Sequence, residues 1–204
     1  MSASSTPPVP SGPGRGLARP TKVFGVGLSR TGTRSLTAAL GVLGYDVVHY
    51  PADPATYRTL LAGSARFPLL DSRDGITDIT VVPYYQDLDA AWPGSRFVLT
   101  VREEESWLRS CRTHWGRPTP DAPDRSETHL DVQRFLRTAV YGCHAFHRER
   151  FRRVYRRHVA DVARYFAERE DDLLVLDIVG GEGYERLAPF VGVPVPDRPF
   201  PRLS

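Results

Sequence analysis

The chain has 204 residues, of which 41% are hydrophobic and 25% are charged, which is enough for one domain with a single core. The formal net charge of +3 is small and argues against nucleic-acid binding as the main activity. No apolar run reaches the length of a membrane span, none near the start has the form of a secretory signal, and the two cysteines have no metal-like spacing. We therefore expect a soluble, cytoplasmic protein without a membrane anchor, a disulfide framework or a metal site.

The first 20 residues differ in composition from the rest of the chain. They are rich in Pro, Gly and Ser and have few apolar residues, which predicts a disordered tail over 1–20 and a folded domain over 21–204. Hydrophobic periodicity and turn residues predict, in chain order, strand 22–27, helix 33–43, strand 45–50, a helical segment over 54–63, strand 67–71, helix 83–91, strand 96–101, helix 103–115, a loop over 116–128, two helical stretches over 129–170, strand 173–178 and helix 183–191. This alternation predicts an α/β fold, a P-loop-NTPase-like parallel β-sheet flanked by helices in a single domain.

The first strand leads into a glycine-rich turn and a helix start, VFGVGLSRTGTRSL over 23–36. Backbone N–H groups at such a turn and the dipole of the following helix hold phosphate or sulfate. Gly27 and Gly32 have the spacing of an NTP-binding P-loop, but Thr33 and Arg34 stand where that loop has Lys and a Mg²⁺-binding hydroxyl. The segment predicts an anion site adapted to a metal-free reaction, and a glycine-rich turn without a ligand is the alternative.

A second anion site is predicted at the end of strand 96–101. Arg102 follows this strand, and Ser110 lies two turns along the next helix. Because ligands of open parallel sheets bind at the carboxyl ends of the strands, we expect both segments to border one crevice. Two anion sites at one edge indicate a nucleotide with phosphates at both ends.

On these two segments the sequence resembles the sulfotransferases that use 3′-phosphoadenosine 5′-phosphosulfate (PAPS). In that family a [K/R]-x-G-T loop binds the 5′-phosphosulfate, and an Arg followed eight residues later by Ser binds the 3′-phosphate. The loop RTGTRSL over 30–36 and the ending PFP over 199–201 are similar to a small bacterial and eukaryotic branch, and the likeness spans about 22–203. The resemblance implies that PAPS is the co-substrate and adenosine 3′,5′-bisphosphate the product. The donor-binding residues that it implies are Arg30, Thr31, Gly32, Thr33, Arg34, Ser35, Arg102 and Ser110.

The donor loop departs from that of the better-known cytosolic enzymes of this family at two positions, and no His occurs between His49 and His114, where those enzymes have their catalytic base. Ser35 stands where their loop has an aromatic residue that stacks on adenine, so adenine must be stacked by other residues. Arg30 stands where they have Lys, and because guanidinium does not lose its proton, Arg30 is expected to stabilise charge on the departing phosphate.

The acceptor must lose a proton, so a base is expected beside the sulfur. Asp71 ends the predicted strand 67–71 and is therefore expected at the same edge as the anion loop. Asp74 and Asp78 follow in the next segment, and His49 ends the second strand. Asp71 is the first candidate, and its alternative role is a carboxylate that pairs with Arg73 or caps a turn. Catalysis is otherwise expected to consist of positioning and charge stabilisation.

Two further segments each allow two interpretations. The loop over 116–128 is rich in Pro and is either a lid over the acceptor pocket or a plain surface loop. The arginine-rich run over 147–158 has an apolar stripe at helical spacing, so its arginines form either a solvated face or a basic rim that attracts an anion. His158 lies on the apolar stripe and is predicted to be a core histidine.

Three functions from different classes remain compatible with the sequence. The leading one is a PAPS-dependent sulfotransferase that acts on a hydroxyl or amine of a small-molecule acceptor. The second is a P-loop kinase or phosphotransferase, and the third is a nucleotide-binding protein without catalytic activity.

Overall fold

A computed structural model describes residues 20–115 and 126–203. Residues 1–19 of the predicted tail and residues 116–125 of the predicted loop lie outside the described part of the chain. The strands are β1 (Val23–Gly25), β2 (Val47–His49), β3 (Gly75–Thr77), β4 (Arg96–Thr100) and β5 (Leu173–Leu176). The helices are α1 (Thr33–Val42), α2 (Pro54–Leu61), α3 (Tyr85–Ala91), α4 (Glu104–Trp115), α5 (Glu127–Leu136), α6 (Arg148–Tyr165) and α7 (Tyr184–Phe190), and a π-helical segment over Arg137–Tyr141 follows α5. The strands form one all-parallel sheet in the order β2-β3-β1-β4-β5, which confirms the α/β prediction.

Alternate residues of the central strands point to opposite faces of the sheet, and each face has its own core. Phe24 and Phe97 belong to the core beneath α3, α4, α5 and α6, and their rings lie 5.4 Å apart. Val23 and Val98 belong to the core on the other face, which α1 and α7 cover. A parallel sheet that is covered in this way on both faces needs continuous apolar strands, and this is why β1 and β4 could be recognised in the sequence.

The predicted strand over 67–71 is wrong. Pro68–Asp71 forms a 3₁₀ turn, and the strand that belongs in this part of the sheet is β3. Phe67 and Leu70 are buried, as residues of a central strand would be. They belong to the turn, however, and pack into the same core as Phe24 and Phe97. Lys22, which precedes β1, donates to the carbonyls of Leu70 and Arg73 at 2.6 and 2.7 Å and so fixes the turn beside the amino ends of the strands.

The strand register brings the carboxyl ends of all five strands to one edge. Gly25 at the end of β1 pairs with both Thr77 and Val98, and Thr100 at the end of β4 pairs with Leu176. Residues that follow the strands therefore converge at this edge, where ligands of open parallel sheets bind. None of the helices in the described part of the chain is both long enough and apolar enough to cross a membrane.

Candidate active site at the carboxyl edge of the sheet

The loop between β1 and α1 depends on two glycines. A Cβ on Gly27 would lie 1.8 Å from the Thr100 hydroxyl oxygen, so only glycine fits where this loop crosses the end of β4. Gly32 precedes α1 with φ of 102°, a conformation that glycine adopts without strain. The first helical hydrogen bond of α1 runs from the Leu36 N–H to the Gly32 carbonyl at 2.9 Å. The N–H groups before Leu36 lie outside the helical ladder, and with the helix dipole they attract an anion.

Two hydroxyls expected to bind the donor are engaged within the protein. Thr31 is fully buried, and its hydroxyl donates to the Leu28 carbonyl at 2.6 Å and shares a hydrogen bond with the Thr100 hydroxyl. The Ser35 hydroxyl accepts from the Leu203 N–H at 2.8 Å, so the end of the described chain is attached to α1. These side chains therefore shape the loop, and what Ser35 offers an anion is its backbone N–H at the start of α1.

An arginine-lined pocket of about 480 Å³ opens beside this loop. The Arg30 Nε donates to the Ser110 hydroxyl at 3.1 Å, and Arg102 donates to the Ser106 hydroxyl at 3.0 Å and to the Arg30 carbonyl at 3.3 Å. The structure thus brings together the three residues Arg30, Arg102 and Ser110 that the sequence pattern selects. The pocket is lined by Arg30, Arg102, Ser106, Arg109, Ser110, Thr113 and His114.

The pocket carries cationic and hydroxyl groups and no carboxylate among its lining residues. Burial lowers the pKa of Arg102, and the neighbouring positive charge of Arg30 lowers it further. Guanidinium groups held this close repel one another, and an anion placed between them relieves that repulsion. Arg109 adds a third guanidinium that the Arg–Ser motif does not include, and it directly precedes Ser110 on α4.

A buried carboxylate, Asp78, lies on the other side of the loop at the end of β3. One of its oxygens accepts from the Ser29 hydroxyl at 2.6 Å, and the other accepts from the Thr33 hydroxyl at 2.5 Å. The His49 Nε2 lies 3.1 Å from that second oxygen. Burial raises the pKa of Asp78, but hydrogen bonds from His49, Ser29 and Thr33 outweigh burial and hold the pKa below its ordinary value. Asp78 is therefore a charged group inside the site.

His49 is the candidate base that the structure places in the site. Its side chain is 28% exposed, so a substrate can reach the imidazole from outside while Asp78 holds it from within. A proton on Nε2, which the Asp78 carboxylate favours, leaves the lone pair on Nδ1. The two residues follow neighbouring strands, because His49 ends β2 and Asp78 follows β3.

Asp71 and Asp74 lie at the opposite edge of the sheet, so the expectation that Asp71 shares an edge with the anion loop was wrong, and Asp74 lies equally far from that loop. Asp71 is exposed at the end of the 3₁₀ turn. The Asp74 side chain accepts from the Asp46 N–H at 2.8 Å, and its carbonyl accepts from the Val23 N–H at the start of β1. The error follows from the misplaced strand, because β3 separates Asp74 from the edge that Asp78 occupies.

Backbone strain marks the same edge. Within residues 20–115 and 126–203, the non-glycine residues with positive φ are Arg30, Tyr50 and Asp78, with φ of 74°, 47° and 75°. They follow β1, β2 and β3, which are neighbours in the sheet. Such conformations are unfavourable for side chains with a Cβ and cluster at functional sites. The Tyr50 ring lies between those of His49 and His129, at centroid distances of 6.5 and 5.9 Å.

Comparison with known proteins identifies the family of the chain. The model of a family described as "Sulfotransferase domain" matches residues 22–204. The chain belongs to this sulfotransferase family. The matched residues include the loop before α1, the segment with Arg102 and Ser110, and Asp78.

Among solved structures, the sulfotransferase domain is similar to a gluconokinase from Sinorhizobium meliloti 1021, with 18% sequence identity and a TM-score of 0.34. The likeness covers 72% of this chain and 96% of the gluconokinase. No curated protein matches the sequence. Within the described ranges of the domain, no group of three or more His, Cys, Asp or Glu side chains is arranged to hold a metal ion.

Proposed function

We propose that the protein transfers the sulfuryl group of PAPS to a hydroxyl or amine of a small-molecule acceptor. The observation that carries the proposal is the position of Arg30 between two anion sites. Its backbone belongs to the loop before α1, while its side chain donates to Ser110 in the arginine-lined pocket. A donor with one anionic group on the loop and another in the pocket fits this arrangement, and family membership supports sulfuryl transfer as the reaction.

Each anionic group of the donor would have its own set of contacts. The N–H groups at the start of α1 and the Arg30 guanidinium would hold the 5′-phosphosulfate. Arg102, Ser110 and Arg109 would hold the 3′-phosphate, and two guanidinium groups on one phosphate give the short charge-assisted hydrogen bonds that favour it over a hydroxyl. When bound, PAPS supplies the sulfuryl group, whose bond to the phosphate oxygen breaks as the acceptor oxygen or nitrogen attacks sulfur.

The acceptor would lose its proton to His49. The imidazole Nδ1 takes the proton while the new bond to sulfur forms, and Asp78 stabilises the imidazolium that results. The electron pair of the broken bond passes to the 5′-phosphate oxygen, where Arg30 and the loop N–H groups stabilise the added charge. Thr33 joins the two halves of the site, because it begins α1 and its hydroxyl donates to Asp78.

Two measurements test this function. Calorimetry should detect adenosine 3′,5′-bisphosphate binding more tightly than ATP with Mg²⁺, and sulfate from labelled PAPS should appear on members of a panel of alcohols, phenols and amines. Arg109→Ala should weaken bisphosphate binding, whereas Arg112→Ala, an exposed arginine on α4 outside the pocket, should not. Preference for ATP with Mg²⁺ would instead support a kinase, and bisphosphate binding without transfer to any acceptor would support a nucleotide-binding protein without catalytic activity.

A further inference from the structure

The backbone of Arg102 leaves the sheet after β4 and is bound there by a side chain of α6. The Tyr155 hydroxyl donates to the Arg102 carbonyl at 2.6 Å and accepts from the Arg102 N–H at 3.1 Å. The preceding residue, Val101, still donates to the Leu176 carbonyl of β5. Tyr155 therefore supplies the hydrogen-bond partners that a neighbouring strand would supply, and it fixes the backbone of a residue whose guanidinium lines the pocket.

The Tyr155 ring packs against a second aromatic residue, which reaches the anion loop. Its centroid lies 4.7 Å from that of Trp107 on α4, and both rings are buried in one core. The Trp107 Nε1 donates to the carbonyl of Ser29, the residue before Arg30, at 3.0 Å. We call Tyr155 and Trp107 the aromatic pair. The pair joins the backbone that precedes Arg30 to the backbone of Arg102.

The same face of α6 also binds the end of β1. The His158 Nε2 donates to the Val26 carbonyl at 2.7 Å, and Val26 directly precedes Gly27 of the anion loop. His158 and Tyr155 are three residues apart on the helix and therefore lie on one face. α6 thus fixes the chain at both points where the strands that carry the anion sites leave the sheet.

The two arginines that the aromatic pair joins repel each other. Both guanidinium groups line the pocket, and burial followed by the charge of Arg30 lowers the pKa of Arg102. Like charges in one pocket separate when no anion lies between them unless the backbone that carries them is fixed. A site whose groups are held in place in advance binds its ligand more tightly, because fewer groups are ordered on binding.

We propose that Tyr155 is a positioning residue that holds Arg102 in place for a phosphate group before the nucleotide binds. The inference rests on the proposed function, because it takes the ligand of the pocket to be the 3′-phosphate of the donor. Tyr155 is not one of the residues that line the pocket, so it acts through the backbone of Arg102. Trp107 fixes the Tyr155 ring relative to the loop.

Removal of the hydroxyl alone tests this role. Tyr155→Phe keeps the ring against Trp107 and removes both hydrogen bonds to Arg102. In calorimetry, affinity for adenosine 3′,5′-bisphosphate should fall about three- to tenfold, which is the factor that one net hydrogen bond supplies. Affinity for 5′-AMP, which has no 3′-phosphate, should stay within about twofold, because the N–H groups of the anion loop are unchanged.

Tyr165→Phe is the matched control. Tyr165 also lies on α6, and its hydroxyl donates to Asp89, which is not a lining residue of the pocket, at 2.7 Å. Thermal unfolding should show a similar loss of stability in both variants, so a purely structural role of Tyr155 predicts equal nucleotide affinities. Equal bisphosphate affinity in Tyr155→Phe and Tyr165→Phe, or an equal loss of 5′-AMP affinity in Tyr155→Phe, would overturn the proposal.

Amide hydrogen exchange tests the same role without a ligand. In the nucleotide-free wild type the Arg102 N–H should exchange slowly, because the Tyr155 hydroxyl binds it, and exchange should be about tenfold faster in Tyr155→Phe. Equally fast exchange in the two proteins would overturn the proposal. If the wild type prefers ATP with Mg²⁺, the proposed function fails, whereas slow exchange in the wild type and fast exchange in the variant still support the role of Tyr155.

Discussion

Asp78→Asn is the substitution that most directly tests the catalytic half of the site. It keeps the shape of the side chain, and Asn tolerates the positive φ of 75° at this position. It removes a negative charge 3.1 Å from the His49 Nε2. Unit charges at such a distance attract by about 5 kcal/mol at an effective dielectric constant of about 20. Because His49 is 28% exposed, we take about half of this energy, which corresponds to a loss of about 50- to 100-fold in kcat.

The assay is steady-state transfer from labelled PAPS to the best acceptor of the panel, with thermal unfolding to check that the variant folds. We expect the loss in kcat with little change in KM for PAPS, because the arginine-lined pocket is unchanged and Asn can still accept from the Ser29 hydroxyl and donate to the Thr33 hydroxyl. Asp71→Asn is the matched control, since it changes a carboxylate at the opposite edge of the sheet, and it should keep wild-type kcat. Loss of activity in Asp71→Asn, with wild-type activity in Asp78→Asn, would refute the assignment.

The same substitution should change stability in acid. Burial raises the pKa of Asp78, but its hydrogen bonds with His49, Ser29 and Thr33 hold the pKa below the ordinary 3.8. The folded state therefore binds fewer protons than the unfolded state, so the contribution to stability is full above about pH 4 and is lost as the pH falls through the folded pKa. Denaturant unfolding of Asp78→Asn should show a shallower loss of free energy below about pH 4 than the wild type. Equal slopes would contradict the lowered pKa.

Three further predictions concern the glycine loop, His158 and the arginine-lined pocket. Gly27→Ala should lower the free energy of unfolding by about 1–3 kcal/mol, because its Cβ would overlap the end of β4. Gly41→Ala lies in α1 with nothing within 4 Å of the new Cβ, so it should raise the free energy of unfolding by up to about 1 kcal/mol. Denaturant titration measures both changes. Burial lowers the pKa of His158 from 6.5, so the unfolded state takes up a proton first and wild-type stability falls as the pH drops below about 6.5. His158→Gln should lose less free energy of unfolding between about pH 7 and pH 5, and an equal loss would show that His158 does not contribute. Arg102→Lys should weaken adenosine 3′,5′-bisphosphate about tenfold in calorimetry, because lysine cannot reproduce the planar fork, and should leave 5′-AMP binding unchanged; an equal loss for both nucleotides would place Arg102 outside a 3′-phosphate site.

Local patterns were sufficient to select the residues that the structure brings together around the loop and the arginine-lined pocket. The glycine spacing and the Arg102–Ser110 spacing each lie within one strand–loop–helix unit, where short-range geometry decides position. Prediction of the proposed acceptor half depended on locating one strand, β3. β3 has three residues with one large apolar side chain, Ile76, whereas the turn before it supplies Phe67 and Leu70, so hydrophobicity selected the wrong segment. Had β3 been recognised, the first candidate for the base would have changed from Asp71 at the amino edge to the pair of His49 and Asp78 at the carboxyl edge.

The role of Ser35 could not be predicted, because its partner lies at the other end of the chain. A serine at the start of a helix beside a glycine-rich loop indicates a hydroxyl for the ligand. In the structure the hydroxyl accepts from Leu203, a contact that exists only when β5 and α7 have returned the chain to α1. The contact therefore depends on the tertiary fold. The local sequence predicts only that the backbone of Ser35 belongs to the start of α1 beside the loop.

The arginine-rich helix α6 explains how α4 can present a cationic face to the pocket. α4 begins with Glu104 and Glu105, which favour its N-terminus but would repel an anionic ligand. Arg152 binds both carboxylates, with N–O distances of 3.0 and 2.6 Å, on the side of α4 that packs against α6. The two carboxylates are thus neutralised on the side of α4 that faces α6. Arg109 and Ser110, about one turn further along α4, line the pocket. Arg152 is therefore neither a plain solvated arginine nor part of a basic rim, because its positive charge neutralises two carboxylates on the helix that lines the pocket.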